Sequence, residues 1–351
     1  MTQQTMRAVM FLEPGRIEMR QVPIPEPRDG EILVRIRAAL TCGTDVKTYR
    51  RGHPNVKPPV VFGHELAGDV EAVGPGVERF RPGMRVVPHN SAPCLSCYAC
   101  KHGQHSMCEN LLFYSGAYAE YVVVPAPIVR LNTFEIPEHL SYAQAAVMEP
   151  LACVVHGQDV IQIQPGEHVA IVGAGGPIGL MHLQLALRRG ASQVVAVDLK
   201  DDRLAVARDL GATHVVNPKN EDPVEAIRRA TGGRGADVTI ESAGDAEAWL
   251  TAVRAVRKGG RVLWFGGLPS GTTITLDTVW VHYGELTLHG VFHATPLDVL
   301  RAFELISSGV IDAASLITGE LPLERVEEAL HRMMAGTCIK MAIVPDGNTA
   351  H

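Results

Sequence analysis

HVAIVGAGGPIGLMHLQLALRRGASQVVAVD, residues 168–198, changes its hydrophobic period twice within one short span. HVAIVG (168–173) is a continuous apolar run of strand length. GPIGLMHLQLALRRG (176–190) spaces its apolar residues as a helix does and stops at a glycine, and QVVAVD (193–198) is again a strand. Strand, helix and strand joined this closely form a crossover unit, which pairs its strands in parallel with the helix covering one face. The pattern repeats downstream. A helix DDRLAVARDLG, strand THVVN, helix PVEAIRRAT, strand ADVTIESAG, helix AEAWLTAVRAVRKGG (246–260), strand RVLWFGG and final strand LTLHGVF (286–292) complete six strands. The expected architecture is α/β, a doubly wound parallel sheet of the dinucleotide-binding kind.

The turn after the first strand carries the glycines that such a fold needs: Gly173, Gly175, Gly176, then Pro177, Ile178 and Gly179. Glycine permits a tight turn and lets the backbone approach a pyrophosphate, whose charge the following helix N-terminus favours. The frame is open. A strict G-x-G-x-x-G ending at Gly179 starts on Ala174, whereas starting at Gly173 adds one residue. Asp198 ends the next strand nineteen residues beyond Gly179. There a carboxylate accepts hydrogen bonds from ribose hydroxyls and repels a 2′-phosphate, which favours NAD over NADP; the plainer role is a helix cap. Arg203 is a candidate for the adenine or a solvated helix residue. Gly266 and Phe292, beyond the fifth and sixth strands, are the remaining cofactor-side candidates.

Upstream, Cys94-x2-Cys97-x2-Cys100-x7-Cys108 gathers four of the chain's seven cysteines into one loop. No export signal is expected from the opening MTQQTMRAVMF, so clustered cysteines are expected to be metal ligands rather than disulfides. Four thiolates suit a closed tetrahedral zinc, with an iron–sulfur cluster as the rival. The residues between them are turn formers and polar groups, so a metal would take the place of a core. A second set is more scattered: Cys42-Gly43-Thr44-Asp45, Gly63-His64-Glu65 and Met148-Glu149-Pro150. One thiolate, one imidazole and a carboxylate leave a coordination position open, as a catalytic zinc requires.

Taken together, these stretches resemble the zinc-containing medium-chain dehydrogenase/reductase family, which includes alcohol, sorbitol and threonine dehydrogenases. The resemblance runs through CGTD (42–45), GHE (63–65), EAVGPGVERFRPGMRVV (71–87), the four-cysteine lobe, AYAEYVVVP (117–125), MEPLACVVHG (148–157) and the nucleotide half. It implies a GroES-like β-rich catalytic domain over residues 1–153 and 294–351, with its structural zinc lobe near 91–110, and a Rossmann NAD-binding domain over 154–293. It also implies two zinc ions per subunit. Cys42 and His64 match ligands of the catalytic ion, Glu65 matches the third ligand of the polyol-type members, and Glu149 is expected to alternate with it. Thr44 matches the hydroxyl that relays a proton, and Asp45 is expected to support His64. The implied reaction moves a hydride between a secondary alcohol and NAD.

Two positions depart from the family pattern. Lys47 stands where many relatives have histidine, and an unperturbed lysine, with a pKa of about 10.4, relays protons poorly at neutral pH. His293, in Phe292-His293-Ala294, stands where sorbitol dehydrogenases place arginine and tyrosine. Both are candidates for the substrate side.

Composition narrows the partners. With 351 residues, 46% hydrophobic and a formal charge of −6, the chain lacks the basic blocks of a nucleic-acid or anionic-membrane binder. No apolar run reaches the roughly 20 residues of a membrane span. The expectation is a cytoplasmic enzyme acting on a small hydroxylated molecule such as a polyol, cyclitol or sugar, assembled as a homodimer or homotetramer. The alternatives are an L-threonine 3-dehydrogenase-like enzyme and a non-catalytic relative that binds zinc and NAD.

Overall fold

The structure, a computed structural model, describes residues 4–346. Contacts divide the chain into two units, one of residues 1–152 with 294–351 and one of residues 153–293.

The second unit is built on a six-stranded sheet in the spatial order His214–Val216, Gln193–Val197, His168–Val172, Ala236–Glu241, Val256–Trp264 and Thr287–Gly290. Every neighbouring pair is parallel. Numbered along the chain this is the order 3-2-1-4-5-6 of a doubly wound dinucleotide fold. Parallel strands covered on both faces have no solvent side, which is why they read as unbroken runs of Val, Ile and Ala. Ala170, Val195, Val197 and Val216 are buried with Ile227 on one side, and Val172, Val253 and Val262 are buried in a second cluster. Each buried Val or Ile contributes about 1.5–3 kcal/mol by leaving water.

One expected element is shorter than its pattern. The helix read over 246–260 ends at Ala255, and Val256 already pairs with Ala236 as strand. Gly259 has φ +69°, and a Cβ on Gly260 would lie 2.5 Å from the Val256 side chain, so the Gly-Gly step forms a bulge inside the strand rather than a helix end.

The first unit is mainly antiparallel. Arg16–Pro23, Thr5–Glu13 and Val60–Val61 form a small sheet. A larger sheet runs through Thr133–Glu135, Arg85–Pro88, Glu65–Val73, Ile32–Leu40, Lys340–Val344 and Ile317–Pro322, with Tyr121–Val124 also paired to Ile32–Leu40. Phe11 and Phe62 stack at 5.3 Å in its core, and the Tyr118 ring meets Phe62 edge-on at 5.8 Å. The chain's last described strand, Lys340–Val344, inserts beside Ile32–Leu40 with Ala342 opposite Leu40. That insertion carries a residue from the far end of the sequence to the start of the helix Gly43–Arg51.

Candidate metal and dinucleotide sites

Cys42 is the N-cap of the helix Gly43–Arg51. Its sulfur accepts from Thr44 N–H at 3.4 Å, while Asp45, three residues on, reaches back to Cys42 N–H at 3.0 Å. This capping box aims both side chains at the same spot. Asp45 is 1% exposed; its Oδ1 lies 3.0 Å from His64 Nδ1, and the Tyr118 hydroxyl donates to Oδ2, the oxygen that also accepts from Cys42 N–H, at 2.6 Å. With Nδ1 held by a carboxylate, Nε2 of His64 is left to act as a ligand. Burial disfavours the imidazolium, but Asp45 and Cys42 outweigh it and hold the His64 pKa well above its ordinary value.

One donor atom each from Cys42, His64 and Glu65 lie within 4.8 Å of one another. Glu149 stands outside that group, near enough for the charges of His64 and Glu65 to act on it; burial is the main cause that pushes its carboxyl up to about 7. Thr44 is exposed in the first helical turn. Lys47 is half-buried one turn further on.

The residue that sequence reasoning missed is Lys340. It is 1% exposed, its Nζ lies 2.6 Å from Glu65 Oε2 and it donates to Thr41 O at 2.7 Å, with Glu65 itself 0% exposed. Burial works against the ammonium, yet Glu65 and Cys42 hold its pKa above the ordinary value. The signal was a lone charge in the apolar run CIKMAIV (338–344), since lysine is almost never fully buried without a partner. Even with Lys340, the acidic groups Cys42, Asp45, Glu65 and Glu149 outnumber the cations. Burial first, and Glu65 second, push the Cys42 thiol up. A buried donor set of this charge suits a divalent cation, and the thiolate–imidazole–carboxylate mixture suits zinc.

The four-cysteine lobe answers the same test. Cys94, Cys97, Cys100 and Cys108 bring their sulfurs within 4.8 Å of one another, with 3.8 Å between Cys97 and Cys108. Four sulfurs at about 2.3 Å from a central zinc stand close to that distance apart. Leu95, Tyr98 and Met107 are exposed, so the lobe has no apolar core. The Ser96 hydroxyl and neighbouring N–H groups hold the Cys94 thiol down at about 5, while burial raises Cys100 to about 12.

In the second unit the structure resolves the glycine frame. Gly173 has φ +82°, and a Cβ there would sit 2.7 Å from Ala243 N. One on Gly175 would meet the Arg203 side chain at 2.4 Å, and one on Gly179 would meet Gly173 O at 2.3 Å. Gly176 has no such neighbour. The obligatory glycines are therefore 173, 175 and 179, the frame with one residue extra. Pro177 and Ile178 open the helix Pro177–Arg188, whose first N–H groups face the turn. Asp198 accepts from Gly175 N–H at 2.9 Å and from Lys200 N–H at 3.1 Å. Arg203 is buried and donates to Gly175 O at 3.1 Å, bracing the turn from below instead of being solvated. Gly266 O accepts from Trp249 Nε1 at 2.9 Å, and its N–H reaches Glu241 Oε2 at 3.2 Å. Phe292 is exposed. His293 beside it has φ +59° and brings Nδ1 to 4.0 Å from Cys153 Sγ.

Residues 177–308 match the zinc-binding dehydrogenase family, and residues 28–138 match the alcohol dehydrogenase GroES-like domain. The chain is 33% identical to a sorbitol dehydrogenase of Bacillus subtilis (strain 168), covering 98% of each chain. It is 36% identical to an L-threonine 3-dehydrogenase of the same organism, covering 93% of this chain and 94% of that one. Among solved structures it is similar to a candidate zinc-binding dehydrogenase from Sinorhizobium meliloti 1021 bound to NADP, with TM-score 0.92, 35% identity and coverage of 98% and 100%. The chain belongs to the zinc-containing medium-chain dehydrogenase/reductase family. It is a zinc-binding, NAD(P)-dependent oxidoreductase, and no helix among the described residues is long and apolar enough to cross a membrane.

Proposed function

We propose that the protein oxidises a secondary hydroxyl of a polyol, cyclitol or sugar-like compound with NAD, in the cytoplasm, as a homodimer or homotetramer. The convergence of Cys42, His64 and Glu65, with Asp45 behind the imidazole, carries this reading. Cys42, His64 and Glu65 would hold the catalytic zinc, with Glu149 as the alternative to Glu65, and Cys94, Cys97, Cys100 and Cys108 would hold a second, structural zinc. When bound, zinc supplies Lewis-acid polarisation of the hydroxyl and the dinucleotide supplies the hydride acceptor.

The chain's own residues do the rest. Asp45 fixes the tautomer of His64, and Tyr118 fixes Asp45. Thr44, exposed in the first turn of the helix Gly43–Arg51, relays the proton released by the substrate hydroxyl, accepting it while passing its own hydroxyl proton on towards the cofactor ribose and bulk water. Asp198 supports NAD over NADP by meeting the ribose hydroxyls, while the turn at Gly173, Gly175 and Gly179 leaves the helix N-terminus open to the pyrophosphate, with Gly266 and Phe292 on the nicotinamide side. Lys47 and His293 contact substrate. A second reading, L-threonine 3-dehydrogenase activity, is favoured by the 36% identity to an enzyme of that name.

The test is NADH formation at 340 nm by zinc-loaded protein across polyols, inositols, aldoses, L-threonine and simple secondary alcohols. Preference for vicinal diols supports the first reading; turnover of L-threonine alone replaces it with the second.

A further inference from the structure

Two buried polar atoms of the first unit have no partner among the described residues and belong to residues opposed across one ladder. Asn90 precedes the short strand Ser91–Ala92, which pairs antiparallel with Leu112–Phe113 in the register Ser91 to Phe113 and Ala92 to Leu112. Continued by one residue, the ladder sets Asn90 opposite Tyr114, and Tyr114 N–H donates to Asn90 O at 3.0 Å. Directly opposed residues of an antiparallel pair project to the same face. Asn90 is 7% exposed, yet its Oδ1 accepts nothing; the Tyr114 hydroxyl is likewise buried and unpaired.

An unsatisfied buried polar group costs about 1–3 kcal/mol, so two on one face need an external partner. The backbone around them is secured independently, with His89 N–H donating to Asn132 O at 2.8 Å and Asn132 Nδ2 donating to Ser91 O at 2.7 Å. Two residues beyond Tyr114 the chain pairs with the segment that carries the ligand His64, Gly116 N–H donating to Gly63 O at 2.9 Å. Beyond burial, the one charge acting on the Tyr114 phenol is Glu149.

We infer that Asn90 and Tyr114 form a hydroxyl-recognising position beside the metal centre, which binds a second hydroxyl of the substrate next to the one that reacts. This rests on the polyol reading. A hydroxyl donates once and accepts twice, so one group satisfies both orphans: it donates to Asn90 Oδ1 and accepts from the Tyr114 O–H. A mono-alcohol of the same skeleton leaves both unpaired. Sites built to hydrogen-bond a hydroxyl reject the analogue lacking it far more strongly than an apolar pocket rejects an added one.

The experiment compares 2,3-butanediol with 2-butanol, which differ by a single hydroxyl, and adds xylitol, using the zinc-loaded enzyme with NAD. For wild type and for Tyr114→Phe and Asn90→Ala, the reading is the ratio of kcat/KM for diol over mono-alcohol. Both variants are expected to lower it about tenfold or more, mainly through KM for the diol. Xylitol is expected to raise the melting temperature of the wild-type NAD complex and to lose that effect in Tyr114→Phe. If one variant folds poorly, the other still decides. A wild type that prefers diols, with the preference kept in both variants, overturns the inference and leaves the polyol reading standing. A wild type that oxidises neither diol nor xylitol overturns the polyol reading, and the inference with it.

Discussion

At the scale of single residues, the first unit is organised around a buried charge pair. Lys340 and Glu65 are both essentially inaccessible, and neither is tolerable alone. Replacing Lys340 by Met leaves a carboxylate uncompensated in the interior, which costs about 3–5 kcal/mol. The expected result is a large loss of urea-unfolding stability in the chelated protein and a much smaller loss in the zinc-loaded one, because the metal then shares the Glu65 charge. Equal losses in both states would separate Glu65 from the metal. Asp198 makes a residue-scale prediction of the opposite kind. It already holds Gly175 N–H, so Asp198→Ser is expected to weaken NAD binding and to raise the NADP-over-NAD ratio of kcat/KM by at least tenfold. An unchanged ratio would reduce Asp198 to a brace for the glycine turn.

At the scale of elements, the four-cysteine lobe and the helix Gly43–Arg51 show two ways of making a local structure. The helix needs no metal, since its capping box and the Tyr118–Asp45 bond are made by the protein alone. The lobe has only four- and three-residue helical turns and exposed apolar side chains, so its order depends on its sulfurs having a common partner. Chelation is therefore expected to make the segment from residue 94 to 108 susceptible to proteolysis before the rest of the chain, and Cys97→Ser is expected to reproduce this with zinc present. Mass mapping of the first cleavage sites checks both. The elements also mark where pattern reading failed. The helix at 246–260 is cut at Ala255 because glycines at 259 and 260 fold back as a bulge, and a bulge has no period to detect.

For the whole molecule, stability should depend on pH through a histidine that never charges while folded. His182 is 0% exposed, its Nδ1 lies 3.3 Å from the Gln158 amide nitrogen, and its ring meets Phe265 edge-on at 4.8 Å. Burial, with a smaller contribution from Arg189, lowers its pKa to about 3. Unfolded histidine titrates near 6.5, so between pH 6.5 and 3 the unfolded state binds the extra proton and stability falls with falling pH. At pH 5 the difference amounts to roughly 2 kcal/mol, 1.5 pH steps at about 1.36 kcal/mol each. Urea titrations at pH 7 and pH 5 should show wild type losing that much more than His182→Met; parallel losses would mean that the site admits the imidazolium.

Much of this was legible in the order of residues. The parallel sheet was, because buried strands and crossover helices write their periods locally, and a glycine turn between them is a local steric demand. The candidate ligands were also legible as types: Cys42, His64 and Glu65 lie within two short motifs, and the four cysteines lie within one loop. Their common destination followed only from the family resemblance, and the glycine frame was decided by Ala243, Arg203 and the Gly173 carbonyl, atoms brought against the turn by packing. Lys340 reaches Glu65 across 275 positions, through a strand whose neighbour in the sheet no local pattern names. Asn90 and Tyr114 read as ordinary polar residues until a two-residue ladder sets them face to face with nothing to bond. Sequence by itself determined the elements and the chemistry available, since both follow from side chains and their nearest neighbours along the chain. Tertiary structure alone decided which charges meet, which polar atoms are left unsatisfied and what therefore must come from outside, because burial is a property of surfaces that only folding brings together.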